Sequence, residues 1–225
     1  MPKQTHDQAQ QAEAQGSYDY LVVGGGALVG RLCRVGALAV PLLVCSPAAA
    51  QHYFEVRIAD PQYRYFDWNY TFSNSAIVDL FYVGVPGSDE FNLGGGYGFK
   101  PSPSLTVAPL VYGVFAEEGS QRGVKIAVLA SFEKDAWKAI GFLAHFARVS
   151  GEVGNYQVLD TLDGVRGIGP HLEIGLSGGF FHADHAWNTL IGPLLRWKDR
   201  HGFWSVSYRF GEENELRAAR VVILD

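Results

Sequence analysis

The sequence predicts an all-β fold, an antiparallel up-and-down transmembrane β-barrel of about ten to twelve strands. Three observations predict it. Segment after segment alternates apolar and polar side chains with a period of two, the period of a strand. The segments run to about 8–11 residues, the length that crosses a membrane, against about 5–6 in soluble sheets. Short turns join them, so neighbours are antiparallel. Composition agrees: 27 glycines, 13% aromatic residues and only 18% charged residues in a chain of 225. The net charge of −5 supplies no basic face for nucleic acid.

The amino-terminal part is read separately. Residues 1–30 form a polar or glycine-rich extension, expected to be disordered or to precede a true start near Val29. Its Gly24-Gly25-Gly26 run has the wrong spacing for a dinucleotide fingerprint, because the third glycine position falls on Val29. Residues 31–50 have the order of a secretory signal: Arg31 and Arg34, then the apolar VGALAVPLLVC, then Ala48-Ala49-Ala50. Cleavage after Ala50 removes both cysteines, Cys33 and Cys45. The barrel is then expected over 51–225.

Within it, each segment earns its place by alternation. YFEVRIAD sets Phe54, Val56 and Ile58 against Glu55 and Arg57, and Pro61 ends it. Residues 64–72 alternate aromatic residues with Asp67, Asn69 and Thr71. Residues 76–85 are apolar on both faces except for Asp79. Residues 91–99 place Asn92, Gly94, Gly96 and Gly98 on one face, which leaves room for bulky neighbours. KPSPS reads as a proline turn, and residues 105–115 as the next strand. Residues 124–132 set Val124, Ile126 and Val128 against Lys125, Ala127 and Leu129. Residues 137–149 return, with Phe142, Ala144 and Phe146 opposite Leu143 and His145. Residues 150–169 are weakly patterned and hold one irregular strand near 156–161. Residues 171–181, 189–197 and 202–210 complete the series. In GFWSVSYRF the apolar face is Trp204, Val206, Tyr208 and Phe210.

The apolar faces carry aromatics near strand ends, as a membrane girdle requires, and the opposite faces carry the polar residues of a lumen. The candidate lumen-lining set is Lys125, His145, Arg148, His171, Glu173, Ser177, Arg196 and Arg209. Such residues set selectivity in a pore or pair to plug it. His171 and Ser177 are about 20 Å apart along one strand, too far for a nucleophile and its base. No catalytic residue is assigned. His182, Asp184 and His185 have metal-ligand chemistry, but a solvated loop is the expected reading, and neither metal nor cofactor is assigned.

SVSYRF, residues 205–210, resembles the terminal strand of Gram-negative outer-membrane β-barrels, and residues 96–113 are similar to a strand, periplasmic turn and strand of such barrels. The resemblance is to the architecture. It implies a location in the cell outer membrane, contact with outer-membrane lipid, insertion by the barrel-assembly machinery, and small solutes as cargo. One departure stands out: the chain continues past Phe210 with GEENELRAARVVILD. Either Leu216 to Leu224 is the closing strand or these residues form a periplasmic tail. The expected role is a narrow channel or structural membrane protein. A lipid-modifying hydrolase of the lipid A deacylase or acyltransferase type and a soluble periplasmic ligand-binding barrel are the alternatives.

Overall fold

The computed structural model describes residues 51–60, 62–85, 88–116, 122–151, 154–183 and 186–224. The extension and signal segment, 1–50, lie outside the described residues, as do Asp184 and His185.

The described chain is all strand and turn. It runs β1 (Gln51–Asp60), β2 (Tyr63–Thr71), β3 (Ala76–Val85), β4 (Ser88–Tyr97), β5 (Phe99–Ser102), β6 (Leu105–Ala116) and β7 (Arg122–Lys134). It continues through β8 (Trp137–Ser150), β9 (Tyr156–Gly167), β10 (Leu172–Ala183), β11 (Ala186–Asp199), β12 (Gly202–Arg209) and β13 (Glu215–Leu224). β4 and β5 are two halves of one barrel strand, since both pair with β6 and only Gly98 separates them. Twelve strands therefore form the ring. It closes because β1 pairs antiparallel with both β2 and β13, and β4 with both β3 and β6. Closure leaves no unpaired sheet edge, which a lipid-embedded backbone cannot tolerate.

The closing strand is β13. SVSYRF lies in the penultimate strand, with Ser207 opposite Arg217 of β13. The expected proline turn is shorter than its sequence: pairing persists to Ser102↔Leu105, and only Pro103-Ser104 turn. With an even number of barrel strands, β1 begins and β13 ends at the same mouth, here termed the terminal mouth. Tight turns there use left-handed backbone at Ser75 (φ 68°) and Asp135 (φ 55°).

The outer face is apolar. Ile126 is 59% exposed, Leu176 57% and Ile191 57%, exposures that a water-facing surface would not repeat strand after strand. Two aromatic bands bound this surface. Tyr97, Phe99, Trp137, Trp197 and Trp204 lie near the terminal mouth, and Phe115, Trp187, Tyr208 and Phe210 near the distal one. Such paired girdles mark membrane–water interfaces. Arg220 extends the first band, with its guanidinium 5.1 Å from the Trp204 ring centroid and bridged to Asp199 at 2.8 Å.

The interior is two-sided. Ile77, Phe81, Ala108, Leu110, Tyr112, Ala127 and Ala144 form a packed cluster on the β3–β6–β7–β8 side. Gly94 makes this possible, since a Cβ there would meet the Val111 carbonyl oxygen at 2.1 Å and Tyr112 Cδ1 at 2.6 Å. The glycine face of β4 thus gives Tyr112 its place. The remaining wall, β9 to β2 through the seam, carries most of the buried charged residues, and the larger open space is lined from both sides.

Candidate functional site: a lumen crossed by an ionic bridge

The polar wall begins with local alternation. Glu55 and Arg57 project inward from β1, Glu215 and Arg217 from β13, and Arg209 from β12. All but Glu215 are at least nine-tenths buried. Charged groups held there need partners. The partner they share is Asp160 on β9. Arg57 Nη1 forms an ion pair with Asp160 Oδ2, and Arg217 Nη2 lies 3.3 Å from Asp160 Oδ1. Arg209 Nη1 donates to the Asp160 carbonyl oxygen at 3.2 Å, and the Tyr63 hydroxyl donates to Asp160 Oδ1 at 3.2 Å. Behind the arginines, Glu55 accepts from Arg57 Nε at 2.9 Å, and Glu215 accepts from Arg209 Nε at 3.0 Å and Arg217 Nε at 2.8 Å.

Asp160 reaches this position through a β-bulge. On β8, Phe142 pairs with Thr161 and Leu143 with Leu159, so Asp160 has no partner in that register. A bulge re-aims a side chain without ending the strand, and both Asp160 and Thr161 line the lumen as a result. Gly179 on β10 clears the way opposite, because a Cβ there would sit 3.2 Å from Arg209 Nη1.

A second polar group completes the layer. Glu90 on β4 accepts from Lys125 on β7 and from the Tyr156 hydroxyl on β9. Closer to the terminal mouth, Arg196 on β11 lies 3.3 Å from Asp163 and 3.5 Å from Glu173, and Lys198 lies 3.0 Å from Glu173. The Arg196 guanidinium also covers the Phe203 ring at 4.2 Å.

The layer divides the lumen. A cavity of about 860 Å³ runs inward from the terminal mouth. A smaller one of about 280 Å³ lies at the distal side. They share two lining residues, Asp160 and Arg217.

The candidate residues separate cleanly. Lys125, Glu173, Ser177, Arg196 and Arg209 are buried inside the barrel, and Ser177 and Arg196 line the larger cavity. His145, Arg148 and His171 do not join them. His145 pairs with Ile126, an outward residue, so it faces outward; on β8 the inner residues are the apolar Phe142, Ala144 and Phe146. Arg148 is exposed at the end of β8, where its guanidinium donates to the Gly151 carbonyl oxygen at 3.2 Å. His171 precedes β10 and stacks on Trp197 at 5.9 Å. His171 and Ser177 are therefore not brought together, and no described histidine lines either cavity. His182 stacks on Trp187 at 4.2 Å. Among the described residues no cluster of three or more His, Cys, Asp or Glu could hold a metal ion.

Sequence reasoning missed Asp160, Glu90 and Arg217 as site residues. The alternation of β1 exposes Glu55 and Arg57 to a reader. The bulge that turns Asp160 inward has no such signature.

No protein-family model matches the chain, and no curated protein matches it in sequence. Solved structures do match. A KdgM porin in complex with disordered oligogalacturonate superposes with a TM-score of 0.57 at 10% identity, covering 78% of this chain and 98% of that one. A NanC porin superposes with a TM-score of 0.52 at 12% identity, covering 79% and 100%. At such identities the likeness is one of fold, and it agrees with the apolar exterior and closed ring: the chain folds as a closed twelve-stranded antiparallel β-barrel, the fold that those porins have.

Proposed function

We propose that the protein is a narrow channel of the outer membrane, conducting small hydrophilic solutes past a waist formed by Arg57, Asp160 and Arg217. The observation that supports this is the pair of cavities meeting at Asp160 and Arg217. A structural barrel has no need of two water-accessible vestibules aligned on one ionic bridge. A ring of twelve strands falls between the eight that side chains just fill and the 16–18 that leave a wide channel. The apolar cluster narrows it further, and Ile77, Phe81 and Ala108 of that cluster form one side of the larger cavity. Glu173, Ser177, Arg196 and Arg209 on the seam side and Lys125 on β7 form the polar lining or its support, and the outer band contacts outer-membrane lipid. The barrel-assembly machinery is the inserting partner this topology calls for. Sugar acids are one cargo class to test, given the oligogalacturonate on the KdgM porin.

The test is planar-bilayer recording on the purified, heat-modifiable barrel. Discrete conductance steps, smaller than those of a 16-stranded porin, are expected. A folded barrel inserted without any conductance, across a range of voltages and salts, overturns the channel reading.

A further inference from the structure

The charges along the lumen are matched one for one. Among the described residues, six inward bases are joined to six carboxylates. Arg57, Arg209 and Arg217 share Glu55, Asp160 and Glu215. Lys125 has Glu90, and Arg196 and Lys198 share Asp163 and Glu173. At the terminal mouth Lys138 is bridged to Glu133 at 2.8 Å. Two further inward acids, Asp67 and Asp79, are hydrogen-bonded to each other. That bond requires a proton on one of them, because an ionised carboxylate only accepts. The two exposed charges at the cavity entrances, Lys100 and Glu213, are opposite in sign.

The three arginines of the waist are also saturated. Every guanidinium nitrogen of Arg57 lies against Glu55 or Asp160. Those of Arg209 lie against Glu215 and the Asp160 carbonyl oxygen. Those of Arg217 lie against Glu215, the Asp160 carbonyl oxygen and Asp160 Oδ1. Two of the three also lie against rings: the Arg57 guanidinium is 4.5 Å from the Tyr65 centroid, and that of Arg217 is 5.2 Å from the Tyr63 centroid. An arginine grips a solute carboxylate through two parallel N–H donors, and here those donors already hold the chain's own oxygens. A lining of one sign gathers ions of the other. A lining of closed pairs has no such field.

The groups left open to a solute are neutral. Ser131, Thr161, Ser177, Ser205 and Ser207 line the larger cavity, with the rings of Tyr65, Phe142 and Phe203 among them. Ser205 and Ser207 are the polar face of GFWSVSYRF. A hydroxyl both donates and accepts, so such a wall replaces water around another hydroxyl without adding charge. The rings offer apolar area to the C–H side of a sugar.

We propose that the lumen selects uncharged polyhydroxylated solutes, neutral sugars above all, over anionic ones, and that Asp160 sets this preference by cancelling the charge of Arg57 and Arg217. The proposal rests on the channel reading and makes sugar acids the disfavoured cargo.

Galactose and galacturonate test it, since they differ only in a hydroxymethyl group against a carboxylate. Into proteoliposomes at about pH 7, labelled galactose should enter about three-fold faster or more. In planar bilayers under a KCl gradient the wild type should show no preference for chloride over potassium. Asp160→Asn leaves Arg57, Arg209 and Arg217 with two carboxylates, so it should move the permeability ratio toward chloride by about two-fold or more. Galacturonate entering as fast as galactose, or a wild-type preference for chloride, overturns the selectivity, and neither result needs the variant to fold. An unshifted ratio in a conducting D160N barrel removes Asp160 from the proposal. A folded, inserted barrel that passes neither sugar nor ion sinks the channel reading itself, and the preference falls with it.

Discussion

Arg57 and Asp160 stand 103 positions apart in the chain and form an ion pair across the barrel interior, from β1 to β9. No sheet hydrogen bond connects those strands. The pair is a strut between walls that otherwise communicate only around the ring. It ties the seam side, through Glu55, Arg217 and Glu215, to the bulge of β9.

Removing the strut has two readable effects. Asp160→Ala leaves Arg57 and Arg217 without their shared carboxylate. Arg57 keeps Glu55 and Arg217 keeps Glu215, so the loss should stay below the about 3–5 kcal/mol of a fully broken buried pair, and the urea midpoint in lipid vesicles should fall. The same change removes the side chain at which the two cavities meet, and single-channel conductance should rise. A variant equally stable and equally conducting would show that the bridge neither supports the barrel nor restricts it.

The outward assignment of β7 has its own test. Ile126 is 59% exposed and flanked by the inward Lys125 and Ala127. Ile126→Arg should cost about 2–4 kcal/mol in a bilayer, the range for arginine at the midplane of a lipid-facing wall. A soluble barrel would tolerate the change at that exposure. Unfolding in vesicles of defined composition distinguishes the two.

Gly94 is the fitted contact of the apolar half. Gly94→Ala places a methyl group 2.1 Å from the Val111 carbonyl oxygen. Overpacking of this kind costs about 1–3 kcal/mol. The temperature at which the unheated, compact gel band disappears should drop, and drop further than for an alanine at Gly164, where a Cβ meets nothing within 4 Å.

Truncation after Phe210 tests which strand closes the ring. Without β13, β1 and β12 lose their common partner. The truncated chain should give no heat-modifiable band. A folded barrel ending at Phe210 would restore SVSYRF as the closing strand.

How much of this was legible in sequence depended on the physics of each strand. Where one face meets lipid and the other meets charge, as in β7 and β12, alternation alone sorts Val124 from Lys125 and Tyr208 from Arg209. β8 defeats that rule because both faces are apolar: Phe142, Ala144 and Phe146 pack inside, so hydropathy sends His145 to the wrong side. β9 defeats it differently. An extra residue shifts the period midway, and Asp160 and Thr161 then share a face that alternation would divide between them. Asp79 was visible as the one polar residue of an apolar strand, but its tyrosine partner and its neighbour Asp67 emerge only once β2, β3 and β6 are placed around a common interior. The bridge itself joins distant strands, and no local pattern encodes it.

The seam between β1 and β13 also dictates an order of events. Every other pairing in the ring joins segments near one another in the chain, so each hairpin has a short loop to close and little entropy to lose. His52 must wait for Leu224. Until the last strand arrives, the first has a bare edge, and Glu55 and Arg57 face an interior that does not yet exist. Zipping this seam is therefore the expected slow step of assembly, of the kind that non-local strand pairing imposes. The guanidinium of Arg217 is delivered to its carboxylate on β9 only as the cylinder locks, which makes the completed bridge a chemical record that the chain has closed.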